Sequence, residues 1–539
     1  YHQQYVHPDQ YRVLRLDPPN PLIALSLRAA AQLDGVFRHY IKAKREYGIA
    51  SALVLGLKDD VDAATKQAYS ATGTTHIMAV SGLQVGLLFA AVSWVLRRLL
   101  GRVRGFRVWS ALLGLAVIWS YAFLTGLSAS VLRATVMFTI IIFGRAFGRQ
   151  DSVFNTLAVA AFGLLVWNPF LVADVGFQLS FLAVLSIVYG QPRIARQLDV
   201  AAYFLARRRP WQPRAVQRAW QTAGSLLDAV WQAVALSLAA QVATVALGLY
   251  YFHQFPFSFL LANLVAVPIS SGAVYVGIGL LTLKGLALAL GTLLPAGAAA
   301  GLDWLPRGAA WLFEQLVWLF NESIFWVSRH LAGWVVRDIH VSALQTVLLF
   351  GLIGTGLAWL TTRRLGWLRG LAVLLVVYAG SRVAEAHAVA ATREFIVYSV
   401  PRRSVVGFWQ GATVEFVTPD SLPLTDTERT YRLLPGLVQR QARHPRYAVG
   451  WLGTAVPVHR LVDPDSAHAF RPPGPVVLVQ WRGLRIAFIA ARISSATQPT
   501  PVDVVVLRRN ARLWPETVAA VFGPRVRVVF DSSCKTWYV

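Results

Sequence analysis

The chain has 539 residues, 56% of them apolar and only 14% charged, with a mean hydropathy of +0.50; a soluble globular domain carries about a quarter charged residues, so a wholly soluble protein is excluded. Its single cysteine, Cys534, excludes a disulfide framework. The net charge of +25, mostly arginine, suits basic loops kept on one side of a membrane or a polyanionic partner.

Residues 1–75 read as an extramembrane N-terminal segment. It starts at Tyr1, as a fragment or processed form would, and opens Pro-rich and polar. Residues 22–47 and 48–72 carry helical apolar periodicity with basic faces, and Lys42, Lys44 and Arg45 suit a solvated face or lipid headgroups. A membrane domain follows over 76–384. Runs long and apolar enough to span occur at 76–96, 108–124, 131–147, 153–167, 175–191, 228–250, 258–283, 285–301, 341–361 and 366–384. Basic clusters follow the first, third and fifth of these, from Arg97 to Arg107, at Arg145 and Arg149, and from Arg193 to Arg218. The turns Thr125–Ser130 and Asn168–Asp174 carry no basic residue. The basic loops therefore share one side, the cytoplasmic one, and the first 75 residues and the tail fall outside.

Residues 309–330 place Glu314/Gln315, Asn321/Glu322 and Ser328/Arg329 seven apart, with Trp311, Trp318, Phe325 and Trp326 between. Such an amphipathic helix lies in the membrane interface or lines a bundle. Residues 393–539 form a soluble α/β domain. Strand-like runs are Phe395–Val400, Val405–Trp409, Thr413–Val417, Val476–Trp481, Leu484–Ile489, Val502–Leu507 and Val526–Phe530; helix-like runs are 426–443 and 512–522. Arg482-Gly483 reads as a tight hairpin.

Polar groups inside apolar spans are costly and mark paths or interhelical hydrogen bonds. The candidates are His76, Ser81, Gln84, Arg133, Asp174, Gln178, Gln241 and Asn263. Asp174 and Gln178 are four apart and share a helix face; Arg133 and Asp174 are also a candidate buried pair. Pro268 breaks the ladder of its span. In the tail, Arg402, Arg403, Arg482, Arg485, Arg508 and Arg509, with Arg512, Arg525 and Arg527, interleave with Trp409, Trp481 and Trp514. Arginine grips phosphate bidentately and aromatic faces stack bases, so this surface is a DNA-binding candidate; a basic solvated surface is the other reading.

Four of these runs carry a resemblance. Ala71–Gly86, Ser128–Ala134, Asn168–Ala183 and Asn263–Pro268 are similar to the core motifs of the ComEC family, inner-membrane proteins of natural transformation. The family usually has a histidine where this chain has Gln84. The resemblance implies a multi-pass channel in the bacterial inner membrane that passes one DNA strand to the cytoplasm. It implies single-stranded DNA, lipid and other competence proteins as partners, among them a separate ATP-driven motor, since no P-loop occurs here. No cofactor and no enzymatic step are expected, and the oligomeric state is not read.

The family often ends in a metallo-β-lactamase-like domain, and the tail resembles a degenerate one. An Asp-Val-Gly-Gln-Gly-Asp run is replaced by Ser399–Ser404, and a His-His-Gly motif by Arg508-Arg509-Asn510. His459, Asp463, Asp465 and His468 are of metal-ligating type. They are the basis of an alternative reading as a membrane-anchored metal-dependent nuclease, but their spacing is loose. A small-solute transporter is a third reading, without the paired inverted halves that often mark one.

Overall fold

The structure, a computed structural model, describes residues 21–78, 80–100, 106–146, 152–207, 211–291, 303–401, 403–418, 424–425, 428–442, 444–449, 476–490, 501–511 and 515–534. It divides into two compact units, Tyr1–Arg337 and Asp338–Val539.

The first unit is helical. Its elements are α1 (Pro21–Tyr40), α2 (Lys44–Leu55), α3 (Ala63–Ala71), α4 (Gly82–Leu100), α5 (Phe106–Leu124), α6 (Ala129–Ala146), α7 (Val153–Trp167), α8 (Val175–Ala195), α9 (Val200–Leu205), α10 (Arg214–Phe252), α11 (Phe259–Gly291) and α12 (Trp304–His330). Across both units, five helical segments among the described residues are long and apolar enough to cross a membrane: Val175–Phe204, Arg214–Phe252, Phe259–Leu290, Ala343–Thr362 and Leu365–Ala391. Shorter apolar helices cover 108–124, 130–144 and 153–167. The chain is thus a helix-rich membrane protein, with five rather than ten segments meeting that length and composition.

Two departures from the sequence reading have physical causes. The first span does not begin at 76: residues 75–78 form a single 3-10 turn, and the helix starts at Gly82 behind a Ser81 cap. The runs 258–283 and 285–301 do not part at residue 284. One helix, α11, runs from 259 to 291 straight through Pro268, since spanning helices tolerate proline when packed neighbours support the backbone; residues 292–302 lie outside the described residues. Of the two readings of 309–330, a helix in the interface or one lining a bundle, the packing fits the second. This stretch is α12, lying antiparallel along α11. Lys284 pairs with Asp303 at one end, at 2.9 Å. Gly277 meets Phe313 midway, where a Cβ would stand 2.9 Å from the ring. Leu261, Ala262 and Val265 share an apolar groove with Ser323, Ile324 and Val327 at the other end. There a two-residue ladder, β1 (Phe255–Pro256) with β2 (Val335–Val336), ties the helix ends together.

Helices α1–α3 pack onto α11 and α12. Phe37, Ile49, Leu53 and Val54 pack with Ala273 and Leu280 of α11 and with Phe313, Val317, Phe320 and Ile324 of α12 in one core. Residues 46–55 of α2 are all buried. Leu, Ile and Phe side chains buried to this degree each contribute about 1.5–3 kcal/mol when taken from water, which explains why this short helix is held inside the unit.

The second unit holds two long helices, α13 (Ala343–Thr362) and α14 (Leu365–Ala391), packed on each other, and then the tail domain. The tail has one sheet in the order β3-β4-β5-β6, with β3 (Arg393–Val400), β4 (Arg403–Gln410), β5 (Thr413–Thr418) and β6 (His444–Val449). A second sheet has the order β10-β9-β8-β7, with β7 (Val476–Trp481), β8 (Leu484–Ile489), β9 (Val504–Leu507) and β10 (Arg527–Phe530). The strands alternate as a period of two requires. Val406, Phe408 and Val417 meet Val479, Ile486, Phe488 and Val506 between the sheets. Val405, Trp409, Val414 and Phe416 turn to the other face, under Leu433 and Leu437 of the 429–439 helical turns. Ala487, Ile489, Val505 and Leu507 turn outward under the helix Pro515–Phe522, α16 (with Leu434–Gln439 as α15). The order is helix, sheet, sheet, helix. Strand β6 went unread because it holds Pro445; it is an edge strand, where proline is tolerated.

Candidate functional site

Three of the polar candidates, Ser81, Gln84 and Arg133, gather at the start of α4. Ser81 caps this helix: its N–H donates to Gln84 Oε1 at 2.6 Å, and the Gln84 N–H donates to Ser81 Oγ at 3.4 Å. That reciprocal arrangement is a capping box, formed because Ser-x-x-Gln satisfies two of the donors a helix start leaves open. It gives the buried Gln84 a local partner. Gly82 follows Ser81, and Arg133 of α6 lies against it: a Cβ on Gly82 would stand 2.6 Å from Arg133 Nη2. Glycine is required at this approach. Arg133 is 6% exposed. Its Nη1 donates to the Ser180 carbonyl of α8, its guanidinium lies 5.8 Å from the Phe181 ring centre, and its Nε has no partner. The hydroxyls of Ser130 and Ser180 are 3.2 Å apart beside it. Three of the sequence runs singled out above therefore meet at one arginine.

Other candidates sit elsewhere. Arg133 and Asp174 form no ion pair. Asp174 is exposed and caps α8, accepting from the Phe177 N–H at 2.7 Å. Gln178 donates to the Val172 carbonyl at 2.7 Å and accepts from the Tyr251 hydroxyl at 3.1 Å, joining α8 to the end of α10. His76 lies in the 3-10 turn with Nδ1 3.2 Å from the Gly73 carbonyl. Gln241 is half-buried on α10. Asn263 is half-buried on α11, with Oδ1 buried and unpartnered.

Several polar contacts had no local signal. The Tyr69 hydroxyl donates to Asn321 Oδ1 at 2.6 Å. Arg45 bonds Glu46 and Glu322, each at 2.8 Å. Gln191 donates to Gln232 at 2.8 Å between α8 and α10. Gln345, Arg382, Glu385 and His340 form one network in the second unit, with Gln345 Nε2 2.7 Å and His340 Nδ1 2.6 Å from the Glu385 carboxylate. Only a recurring polar position on an apolar face, as at Asn321 and Glu322, hints at such pairs.

The tail arginines do not form one surface. Arg482 and Arg485 lie exposed at one end of the second sheet, Arg485 against Asp503 at 3.7 Å. The Arg482-Gly483 turn has positive φ at both residues, as a tight hairpin needs. Arg508 and Arg509 lie at the opposite end of that sheet. Arg403 pairs with Glu428 at 3.1 Å, and Arg402 lies outside the described residues. Trp409 and Trp481 are core residues, not stacking platforms.

Arg508 is buried. Its Nε donates to Ser404 Oγ at 2.8 Å and stands 3.5 Å from the Asp531 carboxylate. Ser532 Oγ bridges the same end, accepting from the Val400 N–H at 2.9 Å and donating to the Arg403 carbonyl at 2.8 Å. Ser404 and Arg508, from the runs Ser399–Ser404 and Arg508–Asn510 compared above with metal motifs, thus meet directly. A guanidinium paired with a carboxylate repels a divalent ion, so these residues do not fit a metal. Burial pushes the nearby Cys534 thiol above its ordinary range, which keeps it protonated. Among the described residues no group of three or more His, Cys, Asp or Glu is placed to hold a metal; His459, Asp463, Asp465 and His468 lie outside them.

Comparison with known proteins gives a consistent set of likenesses. A family model described as "Competence protein" matches residues 53–362, and one described as "ComEC C-terminal domain" matches residues 395–539. "ComE operon protein 3" of Bacillus subtilis (strain 168) is 26% identical over 294 residues, 54% of this chain and 31% of that protein. "Competence protein ComA" of Neisseria gonorrhoeae is 29% identical over 146 residues, 26% of this chain and 21% of that protein. The matched stretch spans under a third of the length of either relative. No solved structure matches.

Proposed function

The chain belongs to the ComEC family of competence proteins, and from that premise we propose that it passes single-stranded DNA across the bacterial inner membrane during natural transformation. The observation that carries this reading is the family match over 53–362, a region whose helices bring Ser81, Gly82, Arg133 and Ser180 together. A bundle held only by apolar packing has no need of a buried arginine there.

The amphipathic α12 returns antiparallel to α11, and we count it as a crossing in place of 285–301. The even count of crossings, with the basic loops inside, then leaves both ends of the chain outside. The tail is a metallo-β-lactamase-like domain in which an arginine has taken the place of metal chemistry. The helix–sheet–sheet–helix order and the Ser404–Arg508 contact support that reading, in which the domain guides DNA without cutting it. Lipid, other competence proteins and a separate ATP-driven motor are its partners.

In a naturally competent host, cells lacking the chain should bind labelled DNA at the surface and import none, and a plasmid copy should restore import. Undiminished import of the labelled strand in the deletion strain would overturn the proposal.

A further inference from the structure

We propose that the N-terminus of α4 and Arg133 together form a seat for one phosphodiester monoanion of the DNA strand. The inference rests on the reading of the chain as a DNA channel and names the site of contact.

Two independent features converge there. The first is the helix start. A helix of this length presents partial positive charge and open N–H groups at its N-terminus. The capping box occupies the N–H groups of Ser81 and Gln84, and among the described residues those of Gly82 and Leu83 have no acceptor. Ser81 and Gly82 are half-buried, so the helix start is reached from outside the core. The second is the arginine. Arg133 is 6% exposed, holds its charge at any physiological pH, and has an Nε with no acceptor. Among the described residues no carboxylate stands within ion-pair distance of it, and Asp174 is engaged at the α8 cap.

A buried guanidinium beside a helix N-terminus is two positive groups side by side, which repel each other unless an anion joins them. Its Nη2 lies against Gly82, and the Phe181 ring limits its plane. A tetrahedral phosphate accepts from a guanidinium fork and from backbone N–H groups at once. Ser130 and Ser180 place two hydroxyls alongside. Glycine at 82 and the capping box then have one purpose in common: they bring the fork to the helix start and keep that start open.

The test uses the full chain, purified in a phosphate-free maltoside detergent, with a fluorescein-labelled oligothymidylate titrated across salt concentrations. For a single strand, the slope of log affinity against log salt is about −0.7 per phosphate contacted. Arg133→Gln should weaken binding about tenfold, the loss of a charged hydrogen bond, and flatten the slope by about 0.7. Arg133→Lys should keep the slope and lose part of the affinity, because a lysine keeps the charge without the fork. Gly82→Ala should weaken binding by moving the guanidinium. Wild-type protein that binds no oligonucleotide would overturn the channel reading itself. Wild-type binding with unchanged affinity and slope in Arg133→Gln would overturn the seat alone. If that variant is not recovered from membranes, unchanged binding in both Arg133→Lys and Gly82→Ala overturns it. Oligonucleotide binding indifferent to Arg133, with Arg133-dependent stabilisation by phosphatidylglycerol, assigns the seat to lipid and overturns the proposal.

Discussion

Replacing Arg508 by alanine should strongly destabilise the tail domain. The Arg508 side chain is 8% exposed and that of Asp531 0%, so the substitution strands a carboxylate away from water. Removing one partner of a buried ion pair costs about 3–5 kcal/mol. Ser404 loses its 2.8 Å hydrogen bond as well, worth about 1 kcal/mol and not fully additive with the first term. Against a domain stability of about 5–15 kcal/mol, a loss of about 3–5 kcal/mol multiplies the unfolded population by a factor of roughly 10²–10³ or more. Pulse proteolysis of the full chain across a urea series, following the fragment that begins near β3, reads the shift. Arg482→Ala, at the exposed hairpin tip, is the control and should move stability by less than about 0.5 kcal/mol. Replacing both buried partners with apolar residues, Arg508→Met with Asp531→Leu, should recover most of the loss. Equal midpoints for Arg508→Ala and Arg482→Ala would refute the account of Arg508 as an internal cation.

Two further outcomes follow from capping and from pH. Asp174→Ala should cost about 1 kcal/mol through the lost α8 cap, while Asp174→Asn, which still caps, should keep abundance and thermal stability; equal losses in a detergent melting assay would contradict the cap. Burial of Glu428 raises its pKa, but hydrogen bonds from Thr425 and the Arg403 charge outweigh that and hold it below the ordinary 4.5. A depressed carboxylate pKa gives stability that is present above the unfolded value and lost as pH falls through the folded one. Hydrogen exchange of β4 in the full chain should therefore accelerate below about pH 4.5 in wild type and depend less on pH in Glu428→Gln; parallel profiles would remove Glu428 from the acid response.

The broad architecture was legible because its signals are local. Apolar length marked the α5–α8 helices, and period-two alternation marked seven of the eight tail strands. The Ser81-x-x-Gln84 capping box is also written in the sequence, but a polar residue in an apolar run carries no label for its partner. What stayed hidden is long-range. Arg45 and Glu322 give no mutual sign across the chain, and nothing local distinguishes the buried Arg508 from the exposed Arg509 beside it. Pro268 signalled a break that the surrounding bundle overrides. The sequence-level pairing of Arg133 with Asp174 failed for a simple reason: a carboxylate one residue before a helix serves the nearest open N–H groups first.

The packing of α2 against α12 also sets an order of events during synthesis. Tyr69 and Asn321 are 252 residues apart, Tyr40 and Asp303 263, and Arg45 and Glu322 277. At about 5–20 residues per second, the partners of the N-terminal helices emerge roughly 13–55 s after them. Through that interval Arg45 lacks Glu322, and the apolar residues of α2 lack Phe313, Val317, Phe320 and Ile324 of α12. The interval is a window of exposure to proteases and insertion factors, and truncation upstream of α12 leaves it permanently open. A nascent chain stalled before residue 304 should be degraded from its N-terminal helices, whereas one stalled after 330 should survive.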